Sequence, residues 1–195
     1  MENWKKIWEK LGKQKTNDVR LLNGYGHTKA NHTKMAGIIM KALKIKESDR
    51  VLEVGCGAGA LAQHIAPHCK YVGTDLSKSL LKRHQELLGN RVIHAPADKL
   101  PFPDKYFDKV FCFGVFHYFP DLKYAQKVLE EMQRVSKGTI YLGDLPLRSK
   151  RKSHLLFRKE NFSGYKITKG LYQPNTPYRF NVLIPNPQEA CPKIT

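Results

Sequence analysis

The sequence predicts an α/β domain built around a largely parallel sheet. Short runs rich in Val, Ile and Phe alternate along the chain with segments whose apolar residues recur at helical spacing. This alternation is typical of βαβ units, in which a crossover helix returns the chain to a parallel strand. A glycine turn follows the first predicted strand and an acidic residue ends the second, so we expect a ligand site at one edge of the sheet.

Helix and strand signals divide the chain in order. An amphipathic helix over 4–11 and a second helix over 33–43 precede the first strand, at 50–54. The predicted order from there is helix 59–66, strand 71–74, helix 77–88, strand 92–95, strand 108–115, helix 120–135 and strand 139–142. Two weaker strands, at 165–172 and 178–184, follow them.

Length and composition place the chain among single-domain globular proteins. It has 195 residues, of which 41% are hydrophobic. No apolar run approaches the roughly 20 residues of a membrane span, and the first residues lack the apolar stretch of a signal peptide. The cysteines form no metal-ligand spacing and are expected to be reduced thiols: Cys56, Cys69, Cys112 and Cys191. We therefore expect a cytoplasmic protein without a membrane span.

The formal net charge of +17 lies mainly in the two flanks. Residues 1–50 hold 12 Lys/Arg against 5 Asp/Glu, residues 51–145 hold 12 against 10, and residues 146–195 hold 10 against 2. Such flanks favour an anionic partner by steering it towards the protein. The alternative is that the charge only keeps the protein in solution.

The glycine turn is the central motif, with the sequence VLEVGCGAG at 51–59. Glycines let the backbone turn sharply and approach a ligand without a Cβ clash. A carboxylate at the end of the next strand, Asp75, can accept hydrogen bonds from both hydroxyls of a ribose. Asp98, after the third strand, could accept one from an adenine amino group. The fourth strand then delivers aromatic residues and His117 to the same edge.

With these four elements in order, the chain resembles the class I S-adenosylmethionine-dependent methyltransferases, and more narrowly the type-11 methyltransferase domain. The matching segments are VLEVGCGAG (51–59), GTDLS (73–77), ADKLPFPDKYFD (97–108), VFHYFPD (115–121) and EMQRVSKGTIYLGD (131–144). The resemblance implies a Rossmann-like, doubly wound, mostly parallel seven-stranded sheet with helices on both faces. It also implies one methyltransferase domain over 1–195, with an N-terminal helical lid and substrate region (1–49), a cofactor core (50–145) and C-terminal strands with a further substrate region (146–195).

The resemblance implies S-adenosylmethionine as cofactor, S-adenosylhomocysteine as product, and no metal. The cofactor residues that it implies are Glu53, Gly55, Cys56, Gly57, Gly59, Asp75, Leu76, Ala97, Asp98, Lys99, Phe113 and Gly114. In that set the glycines shape the turn under the methionine part, Asp75 holds the ribose hydroxyls and Asp98 faces the adenine amine. From the residues alone, a salt bridge for Glu53 and a helix or turn cap for Asp98 stay open as alternatives.

Methyl transfer needs a base only if the acceptor must lose a proton. His117 is the first candidate, because it follows the fourth strand at the expected pocket edge, and Tyr25 is the second. A residue that only shapes the pocket is the alternative for His117. Tyr118, His27 and Asp144 are weaker candidates.

The acceptor is narrowed by motifs that the chain lacks. No (Asp/Asn)-Pro-Pro-(Tyr/Phe) follows the fourth strand, which argues against amino-methyltransferases of DNA bases and of glutamine. A small molecule methylated on oxygen or nitrogen remains, such as a metabolite or a glycan precursor, and the basic flanks favour an anionic one. An RNA methyltransferase and a non-catalytic S-adenosylmethionine-binding protein are the alternatives. The basic residues expected beside the methyl donor are Lys29, Lys34, Arg148, Lys150, Arg151 and Lys152.

Overall fold

A seven-stranded sheet forms the centre of the computed structural model, which describes residues 3–24, 31–170, 178–185 and 192–194. The strands in chain order are β1 (Arg50–Val54), β2 (Lys70–Asp75), β3 (Val92–His94), β4 (Lys109–Phe113), β5 (Ile140–Pro146), β6 (Lys166–Lys169) and β7 (Arg179–Ile184). Across the sheet they lie in the order β3-β2-β1-β4-β5-β7-β6. Strands β1 to β5 pair in parallel, whereas β7 is antiparallel to β5 and β6. The predicted mostly parallel, seven-stranded sheet is confirmed.

Helices cover both faces of this sheet. They are α1 (Trp4–Gly12), α2 (Val19–Leu22), α3 (His32–Leu43), α4 (Ala62–Ile65), α5 (Lys78–Leu88) and α6 (Leu122–Val135), with 3₁₀ turns at 66–68, 116–118 and 159–162. Side-chain caps fix the starts of several of them: the Ser77 hydroxyl accepts from the Leu80 amide at the start of α5, over 3.3 Å. Gly89, at φ +67°, ends that helix as predicted.

Strand β4 shows how the alternation of side chains builds two cores. Val110 and Cys112 pack into the layer under α6, whereas Phe111 and Phe113 pack into the layer under α3. Successive residues of a strand point to opposite faces, so one buried strand serves both layers. Burial of each large apolar side chain contributes about 1.5–3 kcal/mol, which makes these layers the main support of the site described below.

The structure differs from the prediction mainly at element boundaries. The helix predicted from Gly59 begins at Ala62, because Gly59 is still part of the turn, at φ +95°. Strand β4 ends at Phe113, because Gly114 has a φ of +70°. Helix α2 was not predicted; it is four residues long and is capped by the Asp18 carboxylate. The strand predicted over 165–172 spans Lys166–Lys169, and residues 171–177 lie outside the described part of the chain.

Candidate functional site

A cavity of about 490 Å³ opens at the carboxyl ends of β1, β2 and β4. This is the edge at which open α/β sheets bind their ligands. Eight of the twelve residues predicted for the cofactor line it: Glu53, Gly55, Gly57, Asp75, Leu76, Ala97, Phe113 and Gly114. The N-terminal flank adds Asn23 and α1 to the wall, and the C-terminal flank adds Ser153.

Asp75 joins the glycine turn to the end of the second strand. Its Oδ2 accepts from the Gly57 amide over 2.9 Å, and its Oδ1 accepts from the Ser77 amide over 2.8 Å. Burial raises the pKa of this carboxyl, and the hydrogen bonds from the Ser77 and Gly57 amides oppose that rise. The carboxylate is thus held in one orientation at the cavity wall.

Asn23, which no sequence motif indicated, holds the same turn from the other side. Its Oδ1 accepts from the Ala58 amide over 2.8 Å, and its Nδ2 donates to the Cys56 carbonyl over 3.3 Å. Gly57 has a φ of +53°, and a Cβ there would lie 2.3 Å from the Asn23 amide nitrogen. Asn23 is more than 30 positions from the turn in sequence, and no local pattern links the two.

His84 of α5 supports the turn from below. Its Nδ1 lies 3.1 Å from the Gly57 carbonyl oxygen and its Nε2 lies 3.1 Å from the Asn90 amide nitrogen. Because the Asn90 amide donates to Nε2, the hydrogen of the ring is on Nδ1 and bonds to Gly57. Burial lowers the pKa of His84 to about 4, so the ring is neutral.

Two residues predicted for the cofactor lie beneath the turn rather than in the cavity wall. Cys56 is buried, with its Sγ 3.7 Å from the Gly57 carbonyl oxygen. Gly59 lies against α5, where a Cβ would approach the Leu88 side chain to 2.4 Å. This glycine is therefore needed for the close approach of helix and turn.

Glu53 is a buried carboxyl in the cavity wall. The Tyr71 hydroxyl donates to its Oε2 over 2.6 Å. Burial raises the pKa of Glu53 to about 8, against the lowering effect of that hydrogen bond. Among the residues that the structure describes, Glu53 forms no ion pair, so the alternative of a salt bridge is not found there.

The predicted adenine side of the site is only partly in the wall. Ala97 and Tyr124 line the cavity, whereas Asp98 and Lys99 do not. The Tyr124 hydroxyl donates to the Asp98 Oδ1 over 2.8 Å, so Asp98 orients a wall residue. The contact of Asp98 with adenine stays a prediction.

Aromatic rings from both flanks pack around Tyr118 at one side of the cavity, which we call its mouth. The Trp4 and Trp8 rings lie 4.5 Å and 5.1 Å from the Tyr118 ring. The ring of His154 lies 5.6 Å from that of Trp4, and the Arg151 guanidinium lies 5.9 Å from the same indole. The two basic flanks therefore meet at this mouth.

His117 lies just behind the wall. Its ring centroid is 4.0 Å from that of Tyr118, a wall residue, and its Nδ1 is buried without a hydrogen-bond partner in the described part of the chain. Burial lowers the pKa of His117 well below the ordinary value of 6.5, and the charge of Arg179 adds to this effect. The imidazole is therefore neutral. The candidates Tyr25 and His27, and the basic residue Lys29, lie outside the described residues.

Two features are absent from the described ranges. None of the helices in these ranges has the length and hydrophobicity to cross a membrane. In the same ranges, no three His, Cys, Asp or Glu residues are grouped as a metal site would require.

Comparison with known proteins supports this interpretation of the core. Residues 52–142, just under half of the chain, match the family model described as a methyltransferase domain. The demethylmenaquinone methyltransferase of Geobacillus kaustophilus is 34% identical over 116 residues, which cover 54% of this chain and 48% of that protein. The chain thus spans about half the length of this relative.

Solved structures are similar over more of the chain. The YcgJ protein of Bacillus subtilis is 28% identical, with a TM-score of 0.50 over 56% of this chain and 49% of that one. The N-methyltransferase NodS of Bradyrhizobium japonicum, solved with S-adenosylhomocysteine, is 16% identical but has a TM-score of 0.75 over 96% of this chain and all of that one. The fold therefore extends through both flanks. Residues 52–142 thus match a methyltransferase domain, and the chain shares the fold of the S-adenosylhomocysteine-bound methyltransferase NodS.

Proposed function

We propose that the protein binds S-adenosylmethionine in the 490 Å³ cavity and transfers its methyl group to oxygen or nitrogen of a small anionic acceptor. The observation that carries this proposal is the Asp75 carboxylate. Each of its oxygens accepts one backbone hydrogen bond, from Gly57 or Ser77. An ionised carboxylate has about four acceptor positions, so about two remain for a pair of ribose hydroxyls.

Glu53 adds an argument about the charge of the ligand. A buried carboxylate is costly unless a positive group compensates it, and its described partner is the neutral Tyr71 hydroxyl. S-adenosylmethionine carries an ammonium and a sulfonium, whereas a nicotinamide dinucleotide has a doubly anionic pyrophosphate. The buried acid in the wall therefore favours the sulfonium cofactor.

The protein's own part in the reaction is positioning and the exclusion of water. When bound, S-adenosylmethionine supplies a methyl group already activated on positively charged sulfur. The clamped turn and Asp75 would fix the cofactor, and Trp4, Trp8 and Tyr118 would keep water from the cavity mouth. The flanks would thus act as lid and acceptor side, in line with the domain division predicted above.

Binding is the first test of the proposed function. The chain contains two tryptophans, Trp4 and Trp8, and both line the cavity. We expect S-adenosylmethionine and S-adenosylhomocysteine to bind with micromolar affinity (~−8 kcal/mol) in calorimetry and to change the intrinsic tryptophan fluorescence. NAD is the control ligand. Saturable NAD binding, with no response to either sulfur compound, would overturn the proposal.

His117 is the proposed base for acceptors that must lose a proton. Its ring is neutral and its Nδ1 has no partner among the described residues, so a nitrogen is available to accept a proton, but the burial that lowers its pKa also makes it a weaker base than an exposed imidazole. We expect His117→Gln to lower methyl transfer from labelled cofactor to a small-molecule cell extract by about 10²-fold, the lower end for general base catalysis. Affinity for S-adenosylhomocysteine should stay within error. Transfer at the wild-type rate would make His117 a pocket-shaping residue.

The basic mouth supports an anionic acceptor. Lys5 lines the cavity and Arg151 lies against Trp4, so positive charge from both flanks lies at the cavity wall. An anion would be steered there, with an encounter rate that falls as salt rises. Lys34 lies instead in the first turn of α3.

An RNA acceptor is the second candidate, favoured by the same convergence of basic flanks. An RNA enzyme that neutralises several phosphates should lose affinity for polynucleotide steeply with salt, because counterions are released. Filter binding of a mixed RNA pool across a salt series distinguishes an RNA methyltransferase from a small-molecule methyltransferase. A small-molecule enzyme would retain little RNA at any salt concentration near the physiological one.

A further inference from the structure

One segment of the surface carries four cations within five positions, 148–152. Several arginines of other segments lie against carboxylates, as in the pairs Arg20–Asp18 at 2.6 Å and Arg134–Asp104 at 2.7 Å. The mouth loop, residues 148–154, has the sequence RSKRKSH, and no acidic residue occurs between Asp144 and Glu160. Within the described ranges, no ion pair is formed by Arg148, Lys150, Arg151 or Lys152, all of which are exposed.

The mouth loop is nevertheless ordered by its own hydrogen bonds. The Ser149 hydroxyl accepts from the Arg151 amide over 3.1 Å and lies 2.8 Å from the His154 Nδ1. The His154 amide in turn donates to the Arg151 carbonyl over 3.2 Å. The loop is thus a closed turn that carries hydroxyls together with cations that no carboxylate of the described ranges neutralises.

Contacts place this turn at the cavity rather than on a remote surface. Ser153 is part of the wall. The His154 ring lies 5.4 Å from that of Tyr118, and the Arg151 guanidinium lies 5.9 Å from the Trp4 ring. The loop is therefore packed on the cavity wall through Arg151 and His154 and is not merely solvated.

We propose that the mouth loop is a phosphate-binding subsite and that the methyl acceptor is a phosphate or diphosphate ester. Arginine presents a planar fork that matches phosphate oxygens, lysines add charge, and serine hydroxyls donate further hydrogen bonds. The phosphate would lie on the loop at the mouth while the nucleophilic oxygen or nitrogen reaches into the cavity. This inference rests on the proposed function, because it assigns the acceptor of the same site.

The test uses pyrophosphate as probe on the full chain saturated with S-adenosylhomocysteine. We expect saturable binding by phosphorus NMR, and binding about tenfold weaker in Arg151→Gln/Lys152→Gln, the change that one lost charge-assisted hydrogen bond produces. The matched control is Lys46→Gln/Lys70→Gln. It removes the same charge from exposed residues near the amino ends of β1 and β2, whereas the cavity lies at the carboxyl ends. The control should bind pyrophosphate as the wild type does.

Two further arms identify the source of the phosphate. Vesicles of phosphatidylcholine with and without phosphatidylglycerol test whether the phosphate belongs to a lipid headgroup. If the wild type and the control variant are retained on the anionic vesicles and the mouth-loop variant is not, the phosphate is assigned to a lipid. Binding of pyrophosphate without retention on vesicles assigns it to a soluble ester.

Three results would overturn the subsite. The first is that the complex with S-adenosylhomocysteine does not bind pyrophosphate, and the second is that both double variants lose pyrophosphate affinity equally. The third is that Arg151→Gln/Lys152→Gln loses RNA binding but keeps its affinity for pyrophosphate. Binding of S-adenosylhomocysteine is measured separately on each variant. Its failure in the wild type would instead overturn the proposed function.

Discussion

Asp75→Ala is expected to weaken binding of S-adenosylmethionine by about 1.5–3 kcal/mol, which is roughly 10- to 150-fold in affinity. The change removes the acceptor proposed for two ribose hydroxyls. It also removes the bonds from the Gly57 and Ser77 amides that fix the turn. Isothermal titration calorimetry at one pH and salt concentration measures the loss directly.

Two further variants make the Asp75 experiment specific. Asp75→Asn keeps one oxygen acceptor and should lose less affinity than Asp75→Ala. Asp104→Ala removes a carboxylate whose side chain is 73% exposed and whose partner is Arg134, and it should leave binding unchanged. An affinity of Asp75→Ala equal to that of the wild type would mean that the ribose is bound elsewhere.

Glu53→Gln is expected to stabilise the cofactor-free protein at pH 8. The pKa of Glu53 is about 8 in the folded chain, whereas an unfolded glutamate ionises near 4.5. Between these values the unfolded state loses its proton first, so the free energy of unfolding falls as pH rises through this window. Glutamine does not ionise, so the variant keeps the free energy of unfolding that the wild type loses, which we expect to be on the order of 3 kcal/mol at pH 8. Urea unfolding at about pH 5 and pH 8 measures it.

The same variant should bind S-adenosylmethionine more weakly, because the neutral amide that replaces the carboxylate cannot compensate the positive charge of the ligand. In the wild type the ionised form of Glu53 binds the cation better, so affinity should rise from about pH 6 to about pH 7.5, with release of a proton. Calorimetry in buffers of different ionisation enthalpy detects that proton. A Glu53→Gln variant with the same pH dependence and the same proton release would show that another group is responsible.

Much of the fold follows from local patterns. Strand β4 is a continuous apolar run because both of its faces are buried, and α5 has its serine cap and terminal glycine in the sequence. The glycine turn and Asp75 could be located as well, since their order along the chain reflects adjacent parallel strands.

What could not be predicted depends on contacts between distant segments. Asn23 and His84 fix the turn through hydrogen bonds to its backbone, and backbone groups leave no trace in side-chain patterns. The convergence of Trp4 with Arg151 joins residues almost 150 positions apart. Helix α2 is too short for any periodicity, and tertiary contacts define it.

Asn23 also limits how this chain can diverge. It lies outside residues 52–142, in a flank that the methyltransferase domain model does not cover. Yet its amide bonds to Cys56 and Ala58 in the glycine turn. A flank exchanged for that of another protein would have to supply an equivalent amide at this point, or the glycine turn of the hybrid would lose this support. The core and the N-terminal flank are therefore coupled at one side chain.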